Sequence, residues 1–139
     1  MRMRKGIAFG LLLALVVPGV AFAEGYWNSY LTNVRRGFPS RDWNDTDLDA
    51  AHTIVRLQGC RDEVPGNDPG DWGTIRLWKH AGIFPAYSMG DKKLFCYTSA
   101  QGNWGEQAGS QWFHFTVQDY SGGNDSWNVF DASKVEVWY

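Results

Sequence analysis

The stretch "QWFHFTVQDY" (111–120) alternates without a break. Phe113, Phe115 and Val117 share one face with Asp119, while Trp112, His114, Thr116 and Gln118 share the other. A period of two over ten residues is the pattern of a half-buried β-strand. Its neighbours repeat the pattern. "GTIRLWKH" (73–80) sets Ile75, Leu77 and Lys79 against Arg76, Trp78 and His80, and "KVEVWY" (134–139) puts Val135, Val137 and Tyr139 on one side. "HTIVRLQGC" (52–60) is rich in β-branched residues and reads as a strand stopping at Gly59. "KKLFCYTS" (92–99) is a short apolar strand, and "GYWNSYLTNV" (25–34) reads as a first strand or an extended arm.

The segments between carry turn chemistry. "EVPGNDPGDWG" (63–73), "GIFPAYSMGD" (82–91), "SAQGNWGEQAGS" (99–110) and "SGGND" (121–125) are rich in Gly, Asp and Pro and read as connections. No segment holds a helical stripe; "DTDLDAAH" (45–52) offers at most one turn, capped by Asp45. About six or seven short strands imply an all-β fold, a single antiparallel β-sandwich. Trp78 between two cysteines suggests an immunoglobulin domain, but two features argue against a standard one. The cysteines lie close in sequence, and Leu94 stands where the tyrosine corner would need a Tyr.

The chain begins with a basic "MRMRK", an apolar run and a small-x-small "AFA", the layout of a signal peptide over 1–23 with cleavage after Ala23. The secreted domain is then 24–139. Loss of Arg2, Arg4 and Lys5 from 13 basic residues against 15 acidic ones leaves a net charge near −5. An acidic chain without a basic stripe is a poor partner for nucleic acid or anionic lipid, and no second apolar run is long enough for stable membrane association. In an exported chain, Cys60 and Cys96 read as a disulfide.

Catalytic patterns are missing from the sequence. His52, His80 and His114 form no zinc-spaced pair, and His114 reads as a packed strand side chain. Ser beside Gly in "AGSQW" and "YSGG" lacks the nucleophile elbow. Asp45, Asp47 and Asp49 open like a calcium loop, but Ala50 replaces its glycine and Arg56 its closing glutamate. Nothing singles out a carboxylate pair for glycoside hydrolysis. No cofactor is implied.

Aromatic residues are the anomaly, with eight Trp, six Tyr and eight Phe. Phe113, Phe115, Trp78 and Phe95 fit core positions in strands. Trp72, Phe84, Tyr87, Trp104 and Trp127 fall in Gly-rich connections and read as plugs or partner contacts. With Tyr26, Trp27 and Tyr30 of the 24–34 arm, the tryptophans at 72, 104 and 127 are the candidate partner-binding residues. "SRDWND" (40–45) reads as a structural corner: Trp43 buried, Arg41 paired to Asp42 or Asp45.

"SRDWND" followed by "VRLQGC" (55–60), and later "FPAYSMGDKKLFCY" (84–97), resembles small exported actinobacterial proteins, and within them the adaptor subunit of umbrella-type toxin particles. That resemblance implies a non-enzymatic β-sandwich whose N-terminal segment inserts into a lectin and which joins it to a large repeat-containing toxin. The expected function is therefore a secreted protein-binding module. The alternatives are a carbohydrate-binding module using loop tryptophans, a protease inhibitor with "RDEVPGNDPGDWG" (61–73) as bait, and, last, a small hydrolase.

Overall fold

The computed structural model describes residues 25–62, 70–97, 99–122 and 127–139. The signal segment 1–23 and most of the bait loop, with Pro65 and Pro69, lie outside them. The described residues form nine strands and no helix. They are β1 (Tyr26–Val34), β2 (Phe38–Pro39), β3 (Trp43–Asp45), β4 (His52–Asp62), β5 (Trp72–Ala81), β6 (Phe84–Phe95), β7 (Ala100–Glu106), β8 (Gln111–Tyr120) and β9 (Phe130–Trp138).

Two antiparallel sheets pack face to face. One runs β1-β9-β4-β7; the other runs β2-β8-β5-β6, with β3 beside β2 on the same flank of β8. The alternation of β8 and β5 is realised side by side: Ile75 pairs with Val117 and Leu77 with Phe115, and all four are essentially inaccessible. They meet Val55, Leu57, Val135 and Val137 of the opposite sheet. Burying these side chains contributes about 1.5–3 kcal/mol each, the main favourable term in the fold.

Four readings of the sequence need correction. The strand at 52–60 does not stop at Gly59 but runs through it to Asp62. Gly59 adopts φ +55° opposite Ser133, where a Cβ would meet the Ser133 hydroxyl, and the inward phase resumes at Cys60. The connection 82–91 is a tight turn at Gly82 and Ile83 followed by β6. Pro85 is tolerated because β6 is an edge strand, and Gly90 at φ +97° forms an irregularity rather than a break. The connection 99–110 contains β7, whose Gly102 leaves room for the Trp104 indole to lie across it. No helical turn forms at 45–52; β3 ends at Asp45 and β4 begins at His52.

Segment 25–34 is a strand of the sandwich, not a free arm. β1 pairs with β9, tied at its start by reciprocal backbone bonds between Gly25 and Tyr139. Trp27, Leu31 and Val34 point into the core. Cys60 and Cys96 are bonded, joining β4 of one sheet to the end of β6 of the other.

Candidate functional site

The corner at 40–45 is anchored to β8. The Ser40 N–H donates to the Phe115 carbonyl, and the Phe115 N–H donates to Ser40 Oγ. Trp43 is 2% exposed and lies among Trp27, Phe113 and Tyr139, closing one end of the sandwich. The expected pairing of Arg41 with an aspartate gives way to another arrangement. The Arg41 guanidinium lies over the Trp27 ring at 5.0 Å. Asp45 accepts the Asp47 N–H, and Asp42 turns outward to His80.

The candidate binding aromatics divide. Trp27 is core, so it is not a contact residue. Trp72 is half-buried beneath the Lys93 ammonium, 3.8 Å from its ring centre. Trp104 packs against the core and donates its Nε1–H to the Gly90 carbonyl, helping β7 close against β6. Trp127 is exposed, as are Tyr26 and Tyr30 on β1. The three carboxylates at 45, 47 and 49 do not converge. Asp47 accepts the Gly109 N–H and Asp49 the Ala51 N–H, so each spends an oxygen on a different backbone amide.

The exposed apolar residues that sequence reasoning placed in a loop lie along the β5–β6 hairpin. Ile83 at its tip is 96% exposed, Phe84 70% and Tyr87 48%. Gly82 at φ +66° takes the first position of the turn. In β6 only Leu94 is buried. The later half of this edge carries Asp91, Lys92 and Lys93 and the irregular Gly90, devices that discourage strand-to-strand pairing. The half "FPAYSM" (84–89) has no charge.

The chain matches no protein-family model, no curated protein and no solved structure. The site therefore rests on its own geometry.

Two further features stand out. A cavity of about 840 Å³ lies beside the disulfide, lined by Tyr30, Tyr97, Arg61, Asp71 and Asp131 among others. On the outer face of the five-stranded sheet, β8 carries His114 between two neighbours. The pairing of Trp43 with Phe113 sets Asp42 next to His114 from one side, and the pairing of Trp78 with His114 brings β5 from the other. His80 Nε2 stands 3.0 Å from His114 Nδ1 and 3.2 Å from Asp42 Oδ1. His114 Nδ1 and Asp42 Oδ1 are 3.6 Å apart. Among the described residues this is the one trio of His, Cys, Asp or Glu whose ligand atoms lie within 4.8 Å of each other. Desolvation and then the neighbouring His80 push the His114 pKa down and favour its neutral ring, and Asp42 opposes them by favouring the charged one. Trp78 stacks on that ring at 12° and donates its indole N–H to Thr116 Oγ1.

Proposed function

We propose that this protein is a secreted, non-enzymatic binding module that takes a protein partner on the Ile83–Met89 half of the β5–β6 hairpin. One observation carries the reading: an uncharged edge-strand segment led by Ile83 and Phe84, both largely open to water. Ile83, Phe84 and Tyr87 follow one another along a single uncharged edge, and an exposed apolar edge invites aggregation unless a partner covers it. A partner strand laid along β6 would gain backbone hydrogen bonds, with Phe84 and Tyr87 as anchors. The signal-like segment 1–23 and the disulfide support export. Within this reading, an adaptor role in an extracellular toxin assembly is the setting to test first. Insertion of 25–34 as a free arm is replaced by docking on β6, because these residues are paired in the sandwich as β1, and of these two edge strands β6 carries the uncharged run with Ile83 and Phe84.

Affinity capture from culture supernatant with the mature chain is the test, run beside Phe84→Asp and Tyr30→Asp. A defined partner retained by the wild type and by Tyr30→Asp, but lost by Phe84→Asp, supports the reading. Capture of nothing specific, or capture indifferent to Phe84, rejects it.

A second reading, carbohydrate binding, is favoured by the cavity beside the disulfide. Tyr30 and Tyr97, 68% and 65% exposed, offer flat faces to a sugar ring, with Arg61 and Asp131 as polar neighbours. Specific glycan-array binding that disappears in Tyr97→Ala would establish it.

A further inference from the structure

We infer that Asp42, His80 and His114 form a binding site for a divalent transition-metal ion, with Zn²⁺ as the best match. The inference stands apart from the docking edge.

The geometry comes first. Ligand atoms held about 2.0–2.1 Å from a tetrahedral zinc stand roughly 3.3 Å from one another. The three atoms here form a triangle with edges of 3.0, 3.2 and 3.6 Å. Three ligand atoms drawn from three separate strand regions already occupy one face of such a tetrahedron.

No single arrangement of protons gives every edge of the triangle a full hydrogen bond. His80 Nε2 makes both short contacts. A ring nitrogen carries at most one proton, so these two contacts cannot both be full hydrogen bonds. If the His80 Nε2–H lies between Asp42 Oδ1 and an unprotonated His114 Nδ1, its single proton is divided in a three-centre bond and neither acceptor receives a full one. If His114 donates to His80, the carboxylate oxygen faces a nitrogen lone pair. A cation at the centre satisfies all three lone pairs at once.

The donor set selects the ion. Two imidazoles and a carboxylate suit zinc and its first-row neighbours, whereas calcium and magnesium prefer oxygen ligands throughout. The site is also braced. The Trp78 stack and its bond to Thr116 hold the plane of His114, and β8 and β5 are central strands of their sheet. Ligand orientation by such outer contacts strengthens metal sites. Three protein ligands leave a fourth position, and the Asp42 side chain is 53% exposed, so that position faces water or a ligand supplied from outside.

The experiment uses the untagged mature chain, since a histidine tag would bind the probe. Zn²⁺ alone is titrated calorimetrically, and thermal unfolding is followed with and without it. We expect one Zn²⁺ per chain and a rise in Tm, because a ligand that binds only the native state stabilises it. Asp42→Asn, His80→Gln and His114→Gln should each weaken binding by more than the roughly 10–100-fold that loss of an outer contact costs. His52→Gln, on β4 beside Asn103, should leave binding unchanged. Asp42→Asn alters a half-exposed, near-isosteric side chain, so it keeps the test meaningful if a histidine variant folds poorly; circular dichroism checks each variant. Absence of Zn²⁺ binding by the wild type overturns the inference. So does binding that survives Asp42→Asn and His114→Gln in folded protein, or Ca²⁺ binding as tight as Zn²⁺.

Discussion

Trp43 holds the corner through its ring and leaves its indole N–H without a partner. The ring is wedged between β1 and β8, touching Trp27 and Phe113. Its Nε1 is buried and makes no hydrogen bond. These two facts predict unequal effects for two substitutions. Trp43→Ala removes the ring from a packed site and should cost about 3–5 kcal/mol. Trp43→Phe keeps an aromatic face and also removes a buried unsatisfied donor, which costs about 1–3 kcal/mol where it is left unpaired. The phenylalanine variant gives up part of the ring volume but sheds the unsatisfied donor, so it should cost about 1.5 kcal/mol or less. Urea unfolding of both variants checks this; equal losses would mean that the indole N–H has a partner after all. The burial of Trp43 was legible in sequence, from an aromatic between a proline and a turn-forming aspartate. The partner of Arg41 was not. A guanidinium pairs as readily with an aromatic face as with a carboxylate, and the choice depends on Trp27, which arrives from another strand.

At the scale of strands, the solvent face of the β1-β9-β4 ladder is organised by one carboxylate. Glu136 on β9 accepts from Tyr26 of β1, Gln58 of β4 and its own neighbour Lys134, and faces Arg56. The hydrogen bond from Lys134 holds its pKa below the usual carboxylate range, against partial desolvation, with Tyr26 and Arg56 adding to the effect. An unfolded glutamate titrates near about 4.3. Between that value and the lower folded one, the unfolded chain binds more protons, so stability rises with pH. The contribution is complete above the unfolded pKa and is lost as pH falls through the folded one. Asp91, lowered by its bond to Arg76, acts in the same direction but is more exposed. Glu136→Gln should lower the urea midpoint at pH 7 and flatten, without abolishing, its decline between about pH 5 and pH 3. An acid limb as steep as that of wild type would assign the slope elsewhere. How far strands can be read from sequence follows the same physics. β8 and β5 were plain because each buries one full face, which forces alternation. Lys92–Phe95 of β6 was already read as strand within 92–99, whereas the first part of β6 and all of β7 were hidden because they are edges. There, Pro85, Gly90, Gly102 and Gly105 are tolerated, and those residues read as turns. The Asp42–His80–His114 trio was illegible for another reason. Its members lie 38 and 34 residues apart, and only strand register joins them. The available signal was modest: His114 and His80 both fall on outward phases of their strands.

For the molecule as a whole, the disulfide links a secure part to an insecure one. Cys60 belongs to β4, flanked on both sides by β9 and β7. Cys96 follows β6, the edge strand with a single buried side chain, Leu94. β6 is otherwise held by its ladder with β5, by the Arg76–Asp91 pair and by the Trp104 bond to Gly90. The bridge spans 36 residues, and closing such a loop removes entropy from the unfolded chain worth about 3–4 kcal/mol. The Cys60→Ser, Cys96→Ser double variant should therefore be destabilised by about that amount under oxidising conditions. The loss should not be uniform. Exchange protection follows local burial and contact, so amides of β6 should lose protection beyond the global decrease, while those of β8 and β9 fall only with it. Hydrogen exchange on the double variant distinguishes the two cases. Loss spread evenly over every strand would mean that β6 is as firmly held as the central strands without the bridge. The same outcome would weaken the case that this edge is a surface left open for a partner.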